Sequence, residues 1–282
     1  MKKGIRYLVL FIMAIITIVI FIVIKDTKLI ISSYEIDTEL TNPVRIVQLT
    51  DLHNREFGKD NETLLNKILE HKPDMILMTG DMINENEESI SVITKLVKNL
   101  TVNVPVYFSL GNHEIVNLKN NDTSLFVELE NAGATVLNYE YQDIIVNGNN
   151  IRIGGYYGYY RTPHLDTTDI EQQNYMNQFS DSFEGTDNYK ILLCHIPTPW
   201  LDWNKIDDFP VDLVLCGHYH GGQIRIPFIG GLYAPYVGWF PKYTKGLFIG
   251  EQSKCVLSTG LCTEGLIPRL NNPPEIVIID LK

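Results

Sequence analysis

Eight side chains able to ligate a metal or move a proton fall at five places along the 282-residue chain. They are Asp51 and His53 in Asp-Leu-His, Asp81 after Gly80, Asn112 and His113 in Gly-Asn-His-Glu, His195, and His218 and His220 in Gly-His-Tyr-His. Imidazole mixed with carboxylate, and no thiolate in the set, suits Mn, Zn, Fe, Ni or Co better than Ca or Mg. In an extended segment residues i and i+2 share a face, so Asp51 and His53 can address one ion, as can His218 and His220. Glycine precedes Asp81, Asn112 and His218, where the chain must turn sharply and approach a ligand closely. Taken singly each motif is weak: Asp-x-His is common, and an isolated histidine after an apolar run is more often a hydrogen-bonded core residue. Jointly, with each motif closing an apolar strand, they point to a metal site.

The segments before the motifs explain how they would meet. Arg45–Thr50, Asp74–Thr79 and Val104–Leu110 read as strands. Between and after them, Asn61–His71, Ser89–Leu100 and Thr123–Asn131 carry apolar residues at helical spacing. Alternating strand and helix predicts right-handed parallel crossovers, and ligands of such sheets bind beyond the strands' carboxyl ends. After Thr135 the helical pattern thins. Val136–Val146 and Ile151–Gly154 flank Asn147-Gly148-Asn149-Asn150, a hairpin signal. Tyr189–Cys194 and Val211–Cys216 are apolar runs of buried-strand length, and more strands follow Gly246. The expected architecture is a single α/β domain over residues 44–282: a four-layer α/β/β/α sandwich of two mixed sheets, with the metal site at the strand ends.

The whole motif set resembles that of the calcineurin-like metallophosphoesterase superfamily, over about residues 44–282. Residues 217–227 and 230–233, with Ser258–Leu261, Pro268–Leu270 and Pro274–Ile276, resemble a narrower branch: membrane-attached phosphoesterases related to UDP-2,3-diacylglucosamine pyrophosphatase. The resemblance implies two divalent ions, one held by Asp51, His53, Asp81 and His220, the other by Asp81, Asn112, His195 and His218. Asp81 would bridge them. It also implies that His113 faces the substrate phosphate as general acid or transition-state stabiliser, and that Glu114 orients it or helps bind substrate. Two ions roughly 3.5–4 Å apart can hold one phosphate and activate water for in-line attack. Arg55 could contact a substrate phosphate or be a surface arginine. Arg225 and Arg269 carry the same ambiguity. Tyr156–Tyr160 and Tyr233–Tyr243 could line an acyl or sugar cleft, meet a headgroup layer, or pack under long loops.

The amino-terminal segment differs from the rest. Tyr7–Ile24 is 18 residues without a charge, flanked by Lys2, Lys3 and Arg6 on one side and Lys25 and Lys28 on the other. As a helix it would span about 27 Å, near the ~30 Å hydrocarbon core of a bilayer. A cleaved signal peptide is the rival, but no small-residue cleavage site follows, so an uncleaved single-pass anchor is expected. The expected order is a basic tail (1–6), the anchor (7–24), a juxtamembrane strand or linker (25–43) and the catalytic domain. The small excess of positive charge before the span favours an extracytoplasmic body at the cell membrane. Residues 1–31 carry +4 and the total is −11, which leaves −15 on the body. That balance excludes a nucleic-acid-coating role. With 45% apolar and 20% charged residues, disorder, collagen and coiled coil are excluded as well. The four cysteines form no C-x-x-C motif, and Cys255 and Cys262 could pair. The expected activity is hydrolysis of a phosphoester or pyrophosphate bond in a phosphorylated small molecule or lipid, such as UDP-2,3-diacylglucosamine. The alternatives are a general phosphodiesterase or phosphomonoesterase on soluble substrates, and a non-catalytic metal-stabilised binding module.

Overall fold

Two alternating faces on each central strand build the three apolar layers of this chain. The computed structural model describes residues 4–13, 17, 28–121, 124–158, 170–263 and 268–282. The first sheet has the strand order β1 (Ile30–Ile36), β16 (Glu275–Leu281), β2 (Val44–Leu49), β3 (Met75–Thr79), β4 (Val106–Ser109), β5 (Thr135–Leu137). Strands β2 to β5 run parallel, and β16 is antiparallel to β2 but parallel to β1. The second sheet has the order β14 (Gly246–Ile249), β15 (Lys254–Leu257), β9 (Leu213–Cys216), β8 (Tyr189–Cys194), β7 (Asn149–Tyr156), β6 (Glu140–Val146), with β15, β9, β8 and β7 parallel.

Period-two alternation sends Ile46, Met75, Leu77, Ile191, Leu193, Leu213 and Leu215 between the sheets. Val47, Ile76 and Met78 face the other way, against Leu64 and Ile68 of helix Glu62–Glu70 and Ile93, Leu96 and Leu100 of helix Ser91–Thr101. Leu192, Cys194, Val214 and Cys216 pack outward under Phe179, Phe183 and Trp200. The result is the expected four-layer sandwich of two mixed sheets. Between β6 and β7 the chain turns on Asn147 (φ 52°) and Gly148 (φ 84°), the positive-φ pair of a type I′ hairpin.

Three features depart from the expectations. Residues 25–43, read as a juxtamembrane strand or linker, contribute β1, so the sheet begins at Ile30. Gly-Asn-His-Glu does more than close β4, because Asn112 opens helix Asn112–Asn121. Helix Ile170–Glu184 lies where helices were expected to thin out. Its buried Met176, Phe179 and Phe183 are three and four residues apart, a helical spacing legible in hindsight.

Residues 4–13 are helical, and Leu8, Leu10, Phe11 and Ile12 are all exposed. Most of the anchor expected over 7–24 lies outside the described residues. Among the described residues no helix is long and apolar enough to cross a membrane. All four cysteines are free. Cys255 Sγ lies 3.8 Å from Cys216 Sγ in the outer core, whereas Cys262 lies beside Arg55.

Candidate metal centre

The carboxyl ends of β2, β3 and β4 in one sheet and of β8 and β9 in the other converge. Buried polar ties hold the two sheets together there. Gln48 Nε2 donates to the Cys216 carbonyl (2.9 Å) and Ser109 Oγ to that of Leu193 (3.3 Å). The loop after β2 lies along the loop after β3 through Asp51 N–H to Gly80 O (3.0 Å) and His53 N–H to Asp81 O (3.1 Å). Neither side-chain tie was anticipated, because Gln48 and Ser109 look like ordinary strand residues. Their positions, a polar side chain within the apolar run that ends each strand, are the signal that marks them.

The backbone of this rim is strained. Asp51, His53, Asp81, His218 and His220 all take φ between 46° and 71°, a region that non-glycine residues seldom occupy. Such strain persists where surrounding structure enforces it, and it concentrates at functional sites. Two glycines make room. A Cβ on Gly111 would overlap Asp81 Oδ1, and one on Gly260 would lie 2.6 Å from the Asp51 Cβ.

Seven of the expected site residues come together, all of them buried or at the pocket edge. Asp51, His53 and His220 form one group, Asp81, His195 and His218 another, and His53, Asp81 and His113 a third. Within each group the ligand atoms lie within 4.8 Å of one another. Asn112, the remaining expected ligand, opens the helix after β4 with its Oδ1 buried and without a partner.

The polar atoms fit metal ions. Asp81 Oδ2, His53 Nε2, His195 Nε2 and both ring nitrogens of His218 are also buried without hydrogen-bond partners. Orphaned buried polar atoms are rare and costly, so their clustering in these ligand groups calls for cations. The other ring nitrogens explain the orientation. His195 Nδ1 donates to the Thr79 carbonyl (2.7 Å), His220 Nδ1 to that of Cys262 (3.1 Å), and His53 Nδ1 to Asn84 Oδ1 (3.2 Å). An oxygen acceptor on Nδ1 leaves the Nε2 lone pair for a metal. His195 Nε2 and Asp81 Oδ2 then sit 2.9 Å apart as two acceptors that need a cation or a proton between them.

His113 is wired the opposite way. The Glu85 N–H donates to its Nδ1 (3.2 Å), so the neutral ring carries its proton on Nε2, 3.8 Å from Asp81 Oδ2. Its side chain is 17% exposed, against 0% for His195. It is therefore the ring with a proton to give at the mouth of the site.

Burial sets the charges. It pushes His53 down to about 4 and His218 well below the ordinary histidine value, and it lowers His220 as well. Neutral imidazoles are the ligand form. Burial also opposes the charged form of His195, but the Asp81 and Asp51 carboxylates outweigh it and hold that ring above its ordinary value.

Glu114 does something other than orient His113 or meet a substrate. It is fully buried, and its carboxylate accepts from the N–H groups of Gly111 (2.7 Å), Asp81 (2.8 Å), Met82 (2.7 Å) and Ile83 (3.3 Å). Burial and the nearby Asp81 raise its carboxyl above the ordinary value, while the Gly111 and Asp81 N–H groups pull it down. Its task is to clamp the loops that carry Asp81 and Asn112. Arg269 and Arg225 are also structural. Arg269 donates to the carbonyls of Thr259, Cys262, Asn272 and Pro273, and Arg225 to Gly221 O and Thr244 Oγ1. Arg55 remains at the rim, over the Phe57 ring and 3.9 Å from Cys262 Sγ. Of the aromatic stretches, Tyr156 is core, Tyr159 and Tyr160 lie outside the described residues, and Tyr236 stacks on His218 with ring centroids 5.1 Å apart.

The four-layer sandwich thus carries a candidate metal-binding cluster at its strand ends. The sequence model of the family described as calcineurin-like phosphoesterase matches residues 44–222. The chain belongs to that family and is a metal-dependent phosphoester hydrolase. It is 30% identical over 247 residues to the Bacillus subtilis (strain 168) metallophosphoesterase YkuE, covering 84% of this chain and 79% of that one. It is 28% identical over 262 residues to a metallophosphoesterase of Aquifex aeolicus (strain VF5), covering 89% and 91%. With the Escherichia coli (strain K12) phosphodiesterase YaeI it shares 26% over 247 residues, covering 85% and 82%. The family uses a dinuclear site of divalent ions, and the clusters above are its candidate ligands.

Proposed function

We propose that this chain is a membrane-anchored phosphoesterase whose substrate phosphate belongs to a lipid or a lipid-linked nucleotide sugar. Asp51, His53, Asp81 and His220 hold one divalent ion, and Asp81, Asn112, His195 and His218 hold the second. When bound, such ions supply Lewis-acid stabilisation of phosphoryl oxygens and lower the pKa of water. The chain's own residues do the rest. Asp81 lies between the two ligand groups and brings them to one place. His113 donates its Nε2 proton to the departing oxygen, with the Glu85 N–H holding the tautomer. Arg55 supplies a fixed positive charge at the rim for a phosphate oxygen. The observation that carries the hydrolytic reading is the set of buried, partnerless ligand atoms facing one another.

The anchor and the lipid substrate rest on the 18-residue uncharged run and on the exposed apolar faces of residues 4–13. The positive-charge bias supports an extracytoplasmic body, and protection of the body from external protease in intact cells would overturn that orientation. A second reading is a general phosphodiesterase acting on soluble substrates; YaeI, to which the chain is similar, is named a phosphodiesterase. Purified full chain is assayed with Mn on bis-p-nitrophenyl phosphate and on lipid pyrophosphates. Preference for the lipid supports the first reading, and turnover of the soluble diester alone supports the second. His113→Gln separates catalysis from binding. Turnover should fall by about 100-fold with metal content unchanged, and a variant as active as the parent removes His113 from the mechanism.

A further inference from the structure

The loop carrying His218 and His220 continues into two short ribbons. One pairs β10 (Arg225–Ile226) with β11 (Gly230–Gly231), the other β12 (Tyr233–Ala234) with β13 (Gly238–Trp239). The tip of the first is Pro227-Phe228-Ile229, and that of the second Pro235-Tyr236-Val237. Phe228 is fully exposed, and Ile229, Tyr236, Trp239 and Phe240 are each more than 60% exposed. Phe228, Tyr236 and Phe240 also have φ of 68°, 59° and 53°. A bulky side chain at positive φ is a genuine outlier, strained where glycine or asparagine would not be. Neither solubility nor turn stability accounts for aromatic residues there. Presentation of those rings to something outside the protein does.

The path of the chain says what that is. Strand β1 runs parallel to β16, and Ile30 N–H donates to the Pro274 carbonyl (2.9 Å) just before β16 starts. Glu275 N–H in turn donates to Gly260 O (3.1 Å), and Gly260 packs against Asp51. The polypeptide that leaves the apolar amino-terminal run therefore enters the body at its metal end. Lys28 and Leu29 share one depression with Arg55 and Phe57. Arg55 lies against Cys262, whose carbonyl holds His220. Across the site, the second ribbon reaches the metal cluster through the stack of Tyr236 on His218. Lys242 lies over the Tyr243 ring near the base of that ribbon. Exposed aromatic rings beside Lys and Arg are the composition of a membrane interface.

We infer that the metal-site rim faces the bilayer, and that the two ribbons dock into its interfacial layer through Phe228, Ile229, Trp239 and Phe240. The occupant of this aromatic surface is the lipid bilayer itself. A headgroup phosphate in that layer then lies beside the rim without leaving the membrane. The inference rests on the anchor reading above.

The test uses full chain with vesicles of phosphatidylcholine and phosphatidylglycerol bearing brominated acyl chains. The Trp239 signal is the emission lost in a Trp239→Phe variant, which sets aside Trp200 and Trp203. Co-sedimentation reports the anchor. Bromolipid should quench the Trp239 signal by roughly half, because interfacial residues sit about 5–10 Å into the headgroup boundary. The double variant Phe228→Ser/Ile229→Ser should still co-sediment, lose most of the quenching, and keep its turnover of bis-p-nitrophenyl phosphate within about twofold, because neither residue touches the ligand cluster. Failure to co-sediment overturns the anchor and the docking together. Co-sedimentation with an unquenched Trp239, or quenching that the double variant leaves intact, overturns the docking alone.

Discussion

Replacing Glu114 by Gln changes one oxygen into an NH2 group and tests whether a buried charge clamps the site. The carboxylate accepts two N–H groups on each oxygen: Gly111 and Asp81 on Oε2, Met82 and Ile83 on Oε1. The amide can keep one pair, but its NH2 then faces the other two donors. Hydrogen bonds to a charged group are worth about 1.5–3 kcal/mol each, so losing two destabilises the fold by roughly 3–6 kcal/mol. A domain with a total stability of about 5–15 kcal/mol loses a large share of it. The loss should fall first on the loops of Asp81 and Asn112, so metal affinity weakens with stability. Urea unfolding followed by circular dichroism, with metal titration of the folded fraction, measures both. A Glu114→Gln variant within about 0.5 kcal/mol of the parent would refute the reasoning. It would mean that the four N–H bonds to the carboxylate do not clamp these loops.

Gly111→Ala places a methyl group against Asp81 Oδ1. Turnover should drop by about 100-fold, because ångström-scale misplacement of a reacting group costs that much, while circular dichroism stays that of a folded protein. Glu275 titrates in the fold. Although burial works the other way, Lys245 (2.8 Å), Ser32 and the Thr259 N–H hold its carboxyl below the ordinary 4.5. Its stabilising contribution is complete above 4.5 and is lost as pH falls through the lower folded value. Thermal melts from about pH 3 to 6 should therefore show a smaller acid decline for Glu275→Gln than for the parent.

The candidate site was legible because its chemistry is written in types and spacing. Asp-x-His after β2 and Gly-Asp after β3 needed only the parallel order of their strands to meet, and that order follows from alternating strand and helix, whereas His-x-His after β9 joins them from the other sheet. The second sheet's buried strands were legible from the apolar runs Tyr189–Cys194 and Val211–Cys216. What escaped depends on contacts between distant segments. Glu114 sits next to His113 in sequence, which suggested a shared task, but the helix turns its carboxylate toward the backbone of residues 81–83. The opposite tautomers of His113 and His195 are set by one N–H and one carbonyl, from Glu85 and Thr79, which no local motif records. Arg269 and Arg225 offered charge at plausible places, and only the loop geometry shows that carbonyls already occupy them. A strand was one reading of residues 25–43, but that it joins the domain's sheet was hidden because its partner β16 lies at the other end of the chain.

The central claim is that buried, partnerless atoms of Asp81, His53, His195, His218 and Asn112 are metal ligands that make the chain a hydrolase. Metal analysis and turnover of bis-p-nitrophenyl phosphate on one sample of full chain, before and after chelation, test it most directly. The expected result is two divalent ions per chain, loss of turnover when they are removed, and recovery when Mn or Zn is returned. Undiminished turnover by metal-free protein would contradict the claim, as would a folded chain that binds no divalent ion.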